Sequence, residues 1–330
     1  MTQILLTGST GFVGRYLCSR LLSKDYEVRE VTRQKFPFSN RKIFTADISP
    51  HTKWNEPLTN VDIVVHLAAR VHVIHDNTSA PLAAFREVNT FGTAHLAHEA
   101  ANAGVRRFVY LSSIKVNGEK TVLESDNSGP REKNRKKSFS ETDIPNPQNP
   151  YAVSKWEAEQ LLHDIAAETG MEVVIIRPPL VYGPGVKANF LRLLQFVKKG
   201  LPLPFAGIRN KRSLVSLDNL VDFIMCCLKH PAAAGETFLV SDGEDLSTPE
   251  LIKRIAFHMG RSARLFPVPK KLLQLGGKLT GKTAEVDRLC GSLQVDISKA
   301  KRVLGWIPPF SVDEGLAKTV EWFVTRGNYN

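Results

Sequence analysis

Short apolar runs alternate with longer amphipathic ones along the first half of the chain. Runs at 3–7, 27–33, 43–47, 61–67, 107–113 and 172–177 are brief and rich in Val, Ile, Leu and aromatics, so they read as buried strands. Positions 15–22, a stretch around 82–103 and the run beginning at Tyr151 carry helical periodicity. Strands alternating with helices predict an α/β fold built on a doubly wound parallel sheet of the Rossmann type. Beyond residue 177 the pattern changes, with an amphipathic helix at 188–199 and a helix start at Thr248 that lacks a reciprocal Glu at Leu251. The expected division is a dinucleotide-binding domain over 1–177, with a return segment at about 213–242. Residues 178–212 and 243–330 would form a smaller C-terminal substrate domain. No internal repeat of solenoid period is visible.

Two local patterns add chemistry. Gly8, Gly11 and Gly14 lie between the first strand and the first helix, at the spacing Gly-x-x-Gly-x-x-Gly. A strand, a glycine turn and a helix start together make a pyrophosphate site, with free amides and a positive dipole end facing the ligand. Tyr151 and Lys155 are four residues apart in strong helix formers and share one helix face. An ammonium ~4 Å from a phenol, at an effective dielectric of ~20, is worth ~4 kcal/mol, or roughly three pKa units. Lys155 is therefore expected to draw Tyr151 towards working pH.

Composition is that of an ordinary globular protein, 42% hydrophobic and 23% charged. No apolar run reaches the ~20 residues of a membrane span. The N-terminus has no basic region or cleavage site of a signal peptide. Cys18, Cys226, Cys227 and Cys290 show neither metal nor redox spacing, so no metal is expected and the chain reads as cytoplasmic with reduced thiols. The net charge of +11 is compatible with nucleic acid, an anionic membrane surface, a polyanionic substrate or solubility alone. No helix-turn-helix, zinc finger or aromatic-basic interleaving points to nucleic acid. The polar segment 119–149, with the basic run 130–137 inside it, reads as an insertion placed where a lid would be.

Taken together, the motifs resemble the extended short-chain dehydrogenase/reductases, and within them the nucleotide-sugar epimerases and reductases. The matching residues are Thr7–Gly14, Asp47 and Ile48, His66–Ala69, Val88 and Asn89 with Gly92 and Thr93, Leu111–Ser113, Tyr151 with Lys155, and Arg177–Pro184, followed by a closing segment at 296–306. The resemblance implies that Gly8, Gly11, Phe12, Val13 and Gly14 hold the cofactor pyrophosphate. It places Asp47 and Ile48 beside the adenine, and Leu67, Ala68, Ala69 and Pro178 along the cofactor cleft. Asn89 falls near the nicotinamide. It implies a catalytic set of Ser113, Tyr151 and Lys155, with Ser113 bonding the substrate oxygen at C4. It puts Asn189 and Phe190 at a uracil ring and Arg212 at a diphosphate. Arg288 is a second phosphate candidate at a spacing that departs from the family's. It also implies a homodimer pairing the helix after His95 with the helix of Tyr151, through Leu96, Ala97, Ala100, Ala101, Ala158, Leu161, Leu162 and Ile165.

Two departures bear on the reaction. Leu180 stands where many relatives have a substrate-binding Asn. Thr32 and Arg33 end the second strand where NAD-specific relatives carry Asp, which favours NADP(H) over NAD(H), with Arg15 as a further cation. The expected reaction is therefore reduction of a UDP-4-keto-6-deoxy-N-acetylhexosamine in bacterial surface-polysaccharide synthesis. The alternative is a UDP-hexose 4-epimerase with tightly bound NAD. A non-catalytic NAD(P)-binding regulator is the alternative of another class.

Overall fold

The computed structural model describes residues 1–33, 42–71, 80–121, 137–281 and 283–326. Strands β1 (Gln3–Thr7), β2 (Glu27–Thr32), β3 (Lys42–Thr45), β4 (Ile63–His66), β5 (Arg107–Leu111) and β6 (Glu172–Arg177) fall within two residues of the expected runs. The sequence reading did not identify β7 (Leu180–Tyr182), β8 (Arg212–Ser216), β9 (Thr237–Leu239) or β10 (Asp245–Leu246). One sheet has seven parallel strands in the order β3-β2-β1-β4-β5-β6-β9. A second has three, in the order β10-β8-β7.

Alternate residues of each strand point to opposite faces of the large sheet. Leu5, Val64, Phe108, Tyr110 and Ile175 face one layer, packed with α2 (Asn55–Leu58) and with two helices placed later in the chain. Ile4, Leu6, Val65, Val109 and Ile176 face the other, covered first by α1 (Phe12–Leu22). The stretch expected as one helix around 82–103 is divided into α3 (Pro81–Arg86), a π-helical turn (Glu87–Phe91) and α4 (Gly92–Asn102). The Tyr151 helix is α5 (Pro150–Thr169). Asn149 caps it by accepting from the Ala152 amide at 2.9 Å, Pro150 opens it, and Gly170 ends it in the left-handed region at φ 74°.

The apolar residues assigned to a dimer face are used inside the subunit. Leu96, Ala97 and Ala100 of α4 and Ala158, Leu162 and Ile165 of α5 are buried against β4 and β5 in that first layer. Only Ala101 and Leu161 of the set keep partial exposure. Six of the eight residues named for that contact are therefore committed to the subunit's own core.

The remaining helices are α6 (Ala188–Lys198), α7 (Leu217–Lys229), α8 (Thr248–His258), α9 (Lys270–Leu279), α10 (Thr283–Cys290), α11 (Ser298–Leu304) and α12 (Val312–Arg326). Helices α6, α8 and α12 enclose a second core around Tyr182, Phe190, Leu194, Leu214, Ile255 and Leu316. Helices α7 and α11 return to cover α1's face of the large sheet, through Leu220, Phe223, Ile224, Ala300 and Leu304. The start of α8 corrects the sequence reading by one residue. Ser247 is the cap, and with Glu250 it forms a complete reciprocal capping box. The ends of the 119–149 insertion lie against the chain near residue 293, where Thr121 pairs with Ser292 and Phe139 with Val295. The basic run 130–137 lies outside the described residues except for Lys137.

Candidate active site

The strand order reverses between β1 and β4, and the carboxyl ends of these strands open the crevice where sheets of this class take ligands. Gly8 turns there with φ +72°, and a Cβ on it would lie 2.8 Å from the Ala68 amide nitrogen. A Cβ on Gly14 would lie 2.1 Å from the Gly8 carbonyl oxygen, so the helix can approach the turn only with hydrogen at that position. Gly11 is the N-cap of α1. No side chain caps this helix and its first turn holds no carboxylate. The Ser9 hydroxyl in the turn is buried and has no hydrogen-bond partner among the described residues. Free amides, a backbone-walled turn and an unpartnered hydroxyl fit the pyrophosphate of a dinucleotide. Phe12 and Val13 anchor the helix start against the core.

The neighbouring wall is tied to the turn. Thr7 accepts from the Leu67 amide at its carbonyl, and its hydroxyl accepts from the Ala68 amide at 3.3 Å. Ala69 follows, partly exposed. His66 lies below, fully buried, with Nδ1 2.7 Å from the Thr7 hydroxyl and Nε2 3.0 Å from the Thr93 hydroxyl. Burial first, and then the nearby Lys155 charge, push its pKa down to about 3, so it is a neutral brace between β1, β4 and α4. Ile48 packs beside Gly92, and Asp47 is exposed at the surface. At the end of β2, Thr32 is buried and Arg33 exposed. The Thr32 hydroxyl is therefore not displayed to a ribose phosphate as expected. Arg15 donates to the Thr10 carbonyl at 2.8 Å.

Asn89 is 1% exposed and serves as a clamp. Its side chain accepts from the Arg70 amide at 2.8 Å, and donates to the Arg70 carbonyl and the Ser154 hydroxyl at 3.0 Å each. Ser154 in turn donates to the Tyr151 carbonyl. The π-helical turn that carries Asn89 thus fixes the first turn of α5.

Ser113, Tyr151 and Lys155 come together at the end of β5. Ser113 follows a strand end held by two bonds, Ser112 N to Ile176 O at 2.7 Å and Ile114 N to Pro178 O at 3.0 Å. Its hydroxyl lies close enough to the Tyr151 phenol to draw that group's pKa downward. Lys155 is buried, with Nζ donating to the Leu111 carbonyl at 2.8 Å and lying 4.4 Å from the centre of the Tyr110 ring. The expected depression of the tyrosine is not present in this arrangement. Burial pushes Tyr151 up to about 12 against the downward pull of Ser113, while burial pushes Lys155 down to about 7 despite the Glu159 carboxylate. The ammonium is turned to Leu111 O, and its own burial weakens it as a source of charge.

That lysine gives the fold a pH signature. Its folded pKa lies below the ordinary value of 10.5. Between about pH 7 and 9 the unfolded chain therefore binds a proton that the folded chain does not, and stability rises with pH. The expected slope is at most about 1.4 kcal/mol per pH unit for one proton. Urea melts of the wild type and Lys155→Met at pH 7, 8 and 9 check it: the variant loses the rise.

On the other side of the cleft, Arg212 donates to the carbonyls of Arg288 at 2.8 Å and Gly291 at 3.2 Å. Burial, then the charge of Arg288, lower its pKa, so the structure brings two guanidinium groups close together. Asn189 is exposed in the first turn of α6. Phe190 is 5% exposed and stacked on Tyr182 at 5.6 Å in the second core.

The sequence reading missed the support under this set. Glu159, one turn after Lys155, is fully buried and holds Arg177 in a bidentate pair, with Nε 3.0 and 3.1 Å from its two oxygens. It also accepts from the Ser112 hydroxyl, and Arg177 donates to Asn117 at 2.9 Å. The four-residue step from Lys155 to Glu159 was a readable signal, because it places a carboxylate on the inward face of α5. Among the described residues no cluster of His, Cys, Asp or Glu is arranged to hold a metal ion.

Comparison with known proteins agrees with this geometry. A family model for the NAD dependent epimerase/dehydratase family matches residues 4–241. The chain is 48% identical over 329 residues to a UDP-glucose 4-epimerase of Vibrio cholerae, covering 99% of this chain and 97% of that protein. It is 26% identical over 334 residues to the N-acetyl-alpha-D-glucosaminyl-diphospho-ditrans,octacis-undecaprenol 4-epimerase of Escherichia coli O157:H7, covering 97% and 95%. Among solved structures it is similar to MoeE5 in complex with UDP-glucose and NAD, with a TM-score of 0.74, 25% identity, and 99% and 100% of the two chains covered. The glycine turn at the switch point and the extent of these matches lead to one conclusion: the chain belongs to the NAD dependent epimerase/dehydratase family.

Proposed function

We propose that the protein is a UDP-hexose 4-epimerase working with tightly held NAD. The observation that carries this reading is the gathering of Ser113, Tyr151 and Lys155 at the end of β5, in a chain 48% identical over nearly its whole length to a UDP-glucose 4-epimerase. This replaces the ketoreductase reading. That reading rested on NADPH, and NADPH rested on Thr32 and Arg33. Thr32 is buried, and the similar solved structure carries NAD.

Gly8, Gly11 and Gly14 with the amides of α1 would hold the pyrophosphate, and Lys155 the nicotinamide ribose. When bound, NAD supplies a hydride acceptor that later returns the same hydride. Ser113 would hold the C4 oxygen of the sugar. Tyr151 would take the C4 hydroxyl proton at its phenol oxygen and give it back after the sugar has presented its other face. No net oxidant is used, and the proton taken from the C4 hydroxyl is returned to the C4 oxygen. The Arg212 and Arg288 pair supports a diphosphate, for which arginine geometry is well suited. The non-catalytic alternative gives no account of a serine, tyrosine and lysine gathered at the strand end.

The test incubates purified protein with UDP-glucose or UDP-N-acetylglucosamine and no added cofactor, and follows the C4 epimer by NMR. Epimer formation is expected, and the dinucleotide released by denaturing the protein is expected to be NAD. Turnover only of a 4-keto-sugar, with consumption of NADPH, would restore the reductase.

A further inference from the structure

Helix α9 carries its apolar residues on the outside. Leu272, Leu275 and Leu279 recur at i, i+3 and i+7 and share one face. They are 57%, 52% and 80% exposed. The opposite face is the one that meets the protein, through buried Gly277 and half-buried Leu273, where α9 packs on α10. Phe266, in the segment leading into α9, is also exposed. Lys271 and Lys278 are exposed and lie along one edge of the leucine ridge. From Arg261 to Gly281 the chain has five cationic side chains and no carboxylate.

We propose that this face docks on an anionic lipid bilayer. A leucine ridge edged by lysines is the pattern of a helix lying in the interface, apolar side down and ammonium groups among anionic headgroups. The helix is ten residues long, and among the described residues no helix is long and apolar enough to cross a membrane, so the pose is surface-lying. A second copy of the chain is a poor occupant. An isologous contact across α9 would set Lys271 and Lys278 against their own counterparts with no acid on the helix to separate them. The surface borders the candidate substrate site, because α10 also carries Arg288.

The experiment is co-sedimentation of the full-length protein with vesicles of phosphatidylcholine alone or mixed with phosphatidylglycerol. Binding to the mixed vesicles is expected, with little to phosphatidylcholine. Leu272→Gln, Leu275→Gln and Leu279→Gln together should weaken it by at least about tenfold. Lys271→Gln with Lys278→Gln should weaken it by about fivefold per lysine, and added salt should mimic that loss. Epimerisation of a soluble UDP-sugar should stay at the wild-type rate in both variants, which keeps a misfolded variant apart from an undocked one. No binding of the wild type to the mixed vesicles would overturn the proposal. So would equal binding by the triple leucine variant, or a wild-type oligomer that the triple variant converts to monomer.

Discussion

Tyr151→Phe is expected to lower kcat by about 10²–10⁴-fold, the usual worth of a positioned acid-base group. The loss should be selective. The Tyr151 ring packs edge-on to Phe85 at 6.2 Å between ring centres, and phenylalanine keeps that contact. The hydroxyl is the only atom removed, and Ser113 lies beside it. Thermal stability and the amount of co-purified dinucleotide should therefore be close to wild type. Because burial holds the free-protein phenol near 12, deprotonation at neutral pH requires the positive charges of the loaded site. A variant that epimerised UDP-glucose at the wild-type rate would remove Tyr151 from the mechanism.

Arg177→Met is expected to destabilise the fold by about 3–5 kcal/mol, because it leaves a buried carboxylate without its partner. Glu159 is fully buried and Arg177 is 4% exposed. Both oxygens of Glu159 are engaged by that one guanidinium, with Ser112 as a further donor. The double variant Arg177→Met with Glu159→Leu removes both charges and should regain much of the loss. Urea midpoints of the single and double variants give the result. A single variant within about 0.5 kcal/mol of wild type would mean that the pair is not a determinant of the fold. Ser112 precedes Ser113, so the same pair steadies the strand end that presents the catalytic hydroxyl.

Much of this was legible before any coordinates. Six strands of the large sheet were readable: β1, β4, β5 and β6 as nearly continuous apolar runs, as strands buried on both faces must be, and β2 and β3 from their place in the alternation with helices. β9 did not, since three residues at a sheet edge carry too little pattern. The glycine spacing and the Tyr151–Lys155 step were readable because each depends on local geometry alone. What failed depended on where side chains go after folding. The small residues of α4 and α5 look like a spare surface until β4 and β5 are placed under them. Thr32 looks like a phosphate ligand until the sheet buries it. The ridge of α9 was passed over because Gly276 and Gly277 interrupt its helical pattern, and because an outward apolar face contradicts the usual reading of such a pattern.

The two faces of the large sheet are completed at different points along the chain. Every residue of the layer built with α4 and α5 lies at or before Ile175. The layer over α1 needs Leu217–Leu228, Phe238, Ala300, Leu304 and Trp306 as well. During synthesis from the N-terminus, one side of the sheet can close while the other has only α1 over it and stays partly open to water. At roughly 5–20 residues per second, the ribosome leaves that side incomplete for several seconds before α7 and β9 emerge. The nascent chain therefore passes through a one-sided state, a natural substrate for a chaperone that binds apolar sheet. A fragment ending near residue 180 would stop in that state and aggregate.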